Sequence, residues 1–193
     1  RRKSDCPLFG RCGGCQFRHM DYTEGLRAKG ARIQDAISRI GGSKAVLSGV
    51  LGAYNTERYR NKVQFPVAQE KDGLAVGYYR GRSHSVLDVE DCLLQPETAS
   101  ALRRAVLAWM LEWGVPAYEE ETHTGLLRHL YLRFSRTQVL CCLVVNSAKP
   151  LPGEEALVSA LRAAAPGLAG VAVSVNQERT NVVLGRELRS LWG

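Results

Sequence analysis

The sequence predicts an α+β fold: an antiparallel sheet with packed helices, preceded by a cysteine-rich loop that binds an inorganic centre. Three observations carry this. Apolar residues alternate with polar ones over 62–89 and again over 129–146, the period of strands. Helical spacing of apolar residues recurs in three separate stretches between them. Cys6, Cys12 and Cys15 crowd into an opening segment rich in glycine and charge, which has no regular period.

The elements follow in order. Residues 1–21 read as a loop wrapped around something, and residues 22–193 as one central domain. The first helix starts at a capping pattern, Asp21 and Glu24, and stops at Gly41-Gly42, with Leu26, Ile33, Ile37 and Ile40 on one face. Its arginines serve equally as a solvated face or as contacts to a polyanionic partner. Lys62 to Ala68 alternates, Lys71-Asp72-Gly73 turns, and Leu74 to Tyr79 returns; Pro66 places the first strand at an edge or a bulge. Ser85 to Val89 leads into Cys92. A helix from Pro96 to Trp113 turns Leu102, Val106, Trp109, Met110 and Trp113 inward and ends at Gly114. A hairpin, 129–135 and 138–146, precedes a third helix over 153–165, and strands at 170–176 and 180–184 close the chain.

With 193 residues, 45% of them hydrophobic, the chain can bury a core without covalent staples. No apolar run reaches the roughly 20 residues of a membrane span. The basic start, Arg1-Arg2-Lys3, runs into Ser4-Asp5-Cys6 and not into the apolar stretch of a signal peptide. A cytoplasmic location is therefore expected, and a monomer is favoured. The first residue is not methionine and the sequence stops at Trp192-Gly193, which suggests a piece of a longer protein. The net charge is +7, of which +6 falls in residues 1–94 and +1 in 95–193. A basic half favours a polyanionic partner, because cations set against phosphates release condensed counterions.

Six cysteines are present. Without signs of secretion, the cluster Cys6-x5-Cys12-Gly13-Gly14-Cys15 with Cys92 downstream points to metal ligation rather than disulfides. Four thiolates suit zinc or an iron–sulfur cluster. Three local ligands plus one remote, without paired knuckles, favour the cluster, and Gly13-Gly14 lets backbone N–H groups approach its sulfurs. Cys141 and Cys142 sit in an apolar run and read as core residues.

The stretch Cys-Pro-Leu-Phe-Gly-Arg-Cys-Gly-Gly-Cys-Gln-Phe (6–17), followed by His19-Met20-Asp21-Tyr22, resembles the bacterial RNA uracil-5-methyltransferases. It is most similar to those that modify 23S ribosomal RNA and carry a [4Fe-4S] cluster. Tyr59 to Lys62, Gly77 to Arg80, His84 to Leu94, Gly125 to Leu130 and Asn176 to Asn181 extend the resemblance in order along the chain. It implies Cys6, Cys12, Cys15 and Cys92 as the cluster ligands. It also implies that S-adenosylmethionine binds in a C-terminal Rossmann-like domain, which supplies a nucleophilic cysteine and a general-base glutamate. Neither that domain's glycine-rich turn nor the small β-barrel that typically precedes the first cysteine is found here, so the chain alone is expected to be inactive.

In the whole enzyme the resemblance implies thiolate attack on C6 of uracil, methylation at C5 and loss of the C5 proton. The target base must first leave its stack, at a cost that RNA contacts offset. The expected contacts are Arg58, Tyr59, Arg60, Asn61 and Lys62, with Tyr79, Arg80, Arg82 and His84 on the neighbouring strands and Arg128 and His129 extending the surface; the tyrosines would stack on unpaired bases. Each alone is equally an ordinary exposed charge or half-buried ring, and together they read as an RNA surface. Uracil methylation is not a redox reaction, so a structural cluster is expected. The rival readings are a zinc-binding nucleic-acid module without enzymatic activity and an electron-transfer protein.

Overall fold

The computed structural model describes residues 2–193; Arg1, the first of the expected basic start, lies outside the described residues. The strands are β1 (Lys62–Glu70), β2 (Gly73–Tyr79), β3 (Val86–Asp88), β4 (Leu127–Phe134), β5 (Val139–Val145), β6 (Leu168–Val175) and β7 (Glu187–Trp192). The helices are α1 (Tyr22–Asp35), α2 (Glu97–Glu112) and α3 (Glu154–Ala164). All seven strands form one sheet in the order β3-β2-β1-β4-β5-β6-β7.

That sheet is mixed, which corrects the antiparallel expectation. β5 and β6 run parallel, with Cys141 opposite Val171 and Leu143 opposite Val173. The reason is α3, which carries the chain back between them; a parallel pair requires such a crossover. Alternation within a strand reveals which side chains share a face but not which way its neighbour runs. The remaining neighbours pair antiparallel.

α2 and α3 pack on one face of the sheet. Leu102, Val106, Trp109 and Met110 from α2 and Leu157 and Leu161 from α3 meet Val63, Phe65, Leu130, Leu132, Leu143 and Val173 in a single core. Trp113, expected inward, ends 43% exposed at the end of α2. Its ring lies over Gly153, where φ is +61° and an added Cβ would stand 2.3 Å from the ring; only glycine suits both demands. Arg103 is buried in α2, where its Nε donates to the Val76 carbonyl and its guanidinium pairs with Asp88, tying the helix to the β2–β3 hairpin.

β1 lies between β2 and β4, so Pro66 is not on an edge strand. Lys62 to Pro66 pair with β4 and Val67 to Glu70 pair with β2. The proline sits where the strand changes partners, and the missing N–H falls where no β2 residue is registered opposite it.

The apolar stripe of α1 does not reach the sheet: Ile33 and Ile40 stay exposed. The helix packs instead on residues 44–54, where Leu47 N donates to Gln34 Oε1 (2.7 Å) and Ala53 N to the Tyr22 hydroxyl (2.6 Å), and it ends in a π turn, Ala36–Ile40. The last strand is Glu187–Trp192 and not 180–184. The buried Asn176 explains the shift, since its Nδ2 donates to the carbonyls of Val182 (2.7 Å) and Val183 (3.1 Å). A side-chain amide takes the acceptors a ladder would have used.

Leu130 stands between Phe65 and Leu143 in the ladder and is fully buried. Leu130→Ala should cost about 2–5 kcal/mol in urea denaturation. Leu140→Ala, on the opposite face and 55% exposed, should stay within about 0.5 kcal/mol.

Candidate metal centre

The segment before α1 folds through short backbone turns. Phe9 N donates to Cys6 O (3.2 Å), Arg11 N to Leu8 O (3.0 Å) and Cys12 N to Leu8 O (2.9 Å). The loop then lies along the β2–β3 turn: Gly81 N donates to Arg11 O (3.0 Å) and Gly13 N to Tyr79 O (3.4 Å). A third strip of backbone closes the arrangement. Arg58 N donates to Leu93 O (2.8 Å) and Arg60 N to Leu94 O (2.9 Å), which fixes the loop between β3 and α2 that carries Cys92.

These contacts bring Cys6, Cys12, Cys15 and Cys92 to the wall of one cavity of about 580 Å³. Leu8, Phe9, Tyr78, Val89 and Leu94 make its apolar side, while Arg60, Arg80, Arg82 and His84 also line it. Burial, and then the neighbouring Cys92, pushes the Cys15 thiol pKa up; burial likewise raises that of Cys92. Both are therefore thiols at neutral pH, and capture of a metal would release their protons. Among the described residues no three His, Cys, Asp or Glu side chains are placed to hold a single metal ion. Tetrahedral zinc would need sulfurs within about 3.8 Å of one another. Gly14 N donates to Cys12 Sγ (3.4 Å), and Gln95, wholly buried beside the cavity-lining Leu94, accepts the Tyr78 hydroxyl proton at Oε1 (2.7 Å) while its Nε2 has no partner.

The residues expected to touch RNA fall into three groups. Arg80, Arg82 and His84 form an exposed turn at the cavity mouth; His84 pairs with Glu120 (3.0 Å) and its ring lies 5.9 Å from that of Tyr79. Tyr59, Arg60, Asn61 and Lys62 line a shallow hollow with Gln64 and Tyr78, and Arg60 and Tyr78 line the cysteine cavity as well. The third group is internal. Arg58 sends Nη1 to Asp91 Oδ1 (2.9 Å) and to the carbonyls of Cys92 (3.1 Å) and Gln95 (3.0 Å), and Nη2 to Asp91 Oδ2 (2.8 Å). That fork holds the Asp91 carboxyl down at about 2. Arg128 is buried, 4.3 Å from the centre of the Tyr118 ring, and donates to Asn176 O (2.7 Å) and Glu178 O (3.0 Å). His129 is half-buried on β4 and its Nδ1 has no partner. Arg58 and Arg128 thus spend these donors on protein carboxylate and carbonyl oxygens, while His129 sits within the sheet.

Sequence reasoning missed Arg18, which pairs with Asp5 (2.8 Å) and with Glu57. A signal was there: Asp precedes Cys at both Asp5-Cys6 and Asp91-Cys92, and each of these aspartates meets an arginine.

No family model matches the chain. It is similar along its whole length to proteins named uncharacterized RNA methyltransferase, at 38% identity in Clostridium tetani and 36% in Halalkalibacterium halodurans. One from Staphylococcus epidermidis is 32% identical over 97% of the chain. The chain spans 42–43% of the length of these relatives. Among solved structures, a tRNA (uracil-54, C5)-methyltransferase of Pyrococcus abyssi, in complex with S-adenosyl-L-homocysteine, superposes with a TM-score of 0.72 at 20% identity. The likeness covers 95% of this chain and 42% of that one and places the two in the same fold. Among the described residues no helix is long and apolar enough to cross a membrane.

Burial, and then the Arg128 charge, lowers the His129 pKa from 6.5 to about 4. The unfolded chain therefore takes up a proton near pH 6.5 that the folded chain refuses until about pH 4. Stability from this group is complete above pH 6.5 and falls as pH drops towards 4, by at most about 3 kcal/mol. In thermal melts across that range, His129→Leu should flatten the acid-side loss; an unchanged profile would remove His129 as its source.

Proposed function

We propose, from the premise that the chain is homologous to part of the curated RNA methyltransferases, that it forms the iron–sulfur and RNA-facing region of an S-adenosylmethionine-dependent RNA uracil-C5 methyltransferase. The observation that carries this is the single cavity lined by Cys6, Cys12, Cys15 and Cys92, with an arginine-bearing turn at its mouth. Four soft donors on the wall of one cavity suit a [4Fe-4S] centre, and the unpartnered Gln95 amide lies behind Tyr78 and Leu94, which line that cavity. Apolar walls would shield such a centre from water and oxygen. Bound there, the cluster would supply a fixed cross-link between residues 6–15 and the loop at Cys92, without a part in bond-making. A reducing cytoplasm would keep the thiols available for it.

Arg80 and Arg82 have no ion-pair partner among the described residues, so their charges are available to phosphates. Tyr79 and Tyr59 offer ring faces to unstacked bases. The 23S ribosomal RNA is the substrate this reading favours, and methyl transfer itself belongs to the part of the relatives' length that this chain does not span. The chain incubated with S-adenosylmethionine and RNA should transfer no methyl group; turnover by the chain alone would overturn that division.

Protein purified without oxygen should be brown, with iron and acid-labile sulfide in matched amounts, and Cys92→Ser should lose both. A colourless zinc protein, or a Cys92→Ser variant with full iron, would defeat the cluster reading. The double variant Arg80→Ala/Arg82→Ala should weaken binding to single-stranded RNA uniformly across sequences. It should also flatten the slope of log affinity against log salt by roughly 1 to 1.5. An unchanged slope would place the phosphates elsewhere.

A further inference from the structure

Cys6 and Cys92 are 86 residues apart in sequence, yet each directly follows an aspartate that is held by an arginine. Arg18 donates from Nε to Asp5 Oδ1 (2.8 Å) and from Nη2 to Asp5 Oδ2 (3.0 Å), and the same guanidinium reaches Glu57. The Arg18 side chain is only 10% exposed. Glu57 is bonded through the backbone to Arg58, whose own fork closes on Asp91 and on the carbonyls of Cys92 and Gln95. The result is a continuous strap, Asp5–Arg18–Glu57–Arg58–Asp91, spanning the two segments that carry the cysteines.

Two features separate this strap from ordinary surface ion pairs, which contribute little. Both arginines engage a carboxylate with two parallel hydrogen bonds, the geometry in which a guanidinium is strongest and for which lysine is no substitute. Arg58 also adopts φ +55°, which side-chain-bearing residues rarely do. Its backbone N–H and its guanidinium are both committed to the 91–95 loop, and that over-determined fit holds it there.

We infer that Arg18 and Arg58 are positioning residues that hold Cys6 and Cys92 beside the Cys12–Cys15 turn, so that the thiols are gathered by protein contacts and do not depend on a metal to gather them. The inference rests on the cluster reading for its purpose, although the strap itself is made only of protein groups. A site organised in advance captures its metal without paying the ordering entropy at that moment.

The test uses the full chain and four variants, Arg58→Ala, Arg58→Lys, Arg18→Ala and Asp91→Asn. After chelator treatment, each is reconstituted anaerobically with ferrous iron and sulfide while the thiolate-to-iron charge-transfer absorption is followed. In parallel, a short bismaleimide reports how readily Cys92 is joined to Cys12 or Cys15 before any metal is added. Arg58→Ala and Arg18→Ala should slow reconstitution roughly tenfold and lower the cross-link yield. Arg58→Lys should fall between them and the parent chain, and the unfolding midpoint of the sheet core should hardly move. Asp91→Asn keeps the side-chain shape and decides the matter if an alanine variant fails to fold. Parent-like reconstitution and cross-linking in all variants would overturn the inference. A parent chain that takes up no iron but still loses cross-linking in the variants would sink the cluster reading and leave the strap standing.

Discussion

β1 joins the core to the cavity by pairing with β4 along its first half and β2 along its second. The β4 side belongs to the packed sheet beneath α2 and α3, with Val63 and Phe65 at the centre of the core. The β2 side leads into the hairpin whose turn supports the cysteine loop and bears Arg80 and Arg82. Because the strand changes partners at Pro66, the hairpin is a lateral extension of the sheet. Arg103 then locks that extension to α2 through Asp88 and the Val76 carbonyl. The placement of every group at the cavity follows from this shared strand, since the cysteine loop has few helix or strand bonds of its own.

The arginines divide by what their surroundings demand. Arg103 and Arg128 are buried, and a buried guanidinium must spend its donors on carboxylates and carbonyls or forfeit its hydration without return. Arg18 and Arg58, less deeply placed, are also fully committed to acidic partners and loop carbonyls. Arg80 and Arg82 lie on an exposed turn and keep their charges unpaired among the described residues. The excess positive charge of the first half of the chain is therefore partly structural, and only the remainder is open to a polyanion. A smaller electropositive surface at the cavity mouth is better defined than a broad basic half, because its arginines converge from one turn.

Relatives named as RNA methyltransferases match the whole chain, and a tRNA uracil methyltransferase shares its fold. Those relatives are more than twice as long, and the chain spans 42–43% of their length. Its contribution, on the reading given above, is binding and geometry: a rigid cysteine-lined cavity beside a phosphate-ready turn, built on a sheet stiff enough to hold both.

The sequence by itself determined the three helices, most strands and most of the inward face of α2, because these follow from periodicity that any packed core must satisfy. It also singled out the cysteines and the basic turn, since soft donors and unpaired charge are visible in residue type. It misplaced β7 because Val182-Val183-Leu184 reads as a strand until the Asn176 amide is seen to take its carbonyls. The direction of β6, the displacement of α1 from the core and the partner change at Pro66 depend on contacts between residues distant in sequence. So does the fate of Arg58 and Arg128: a side chain's charge is written in the sequence, but whether it faces water or a carboxylate is decided only when the chain has closed around it.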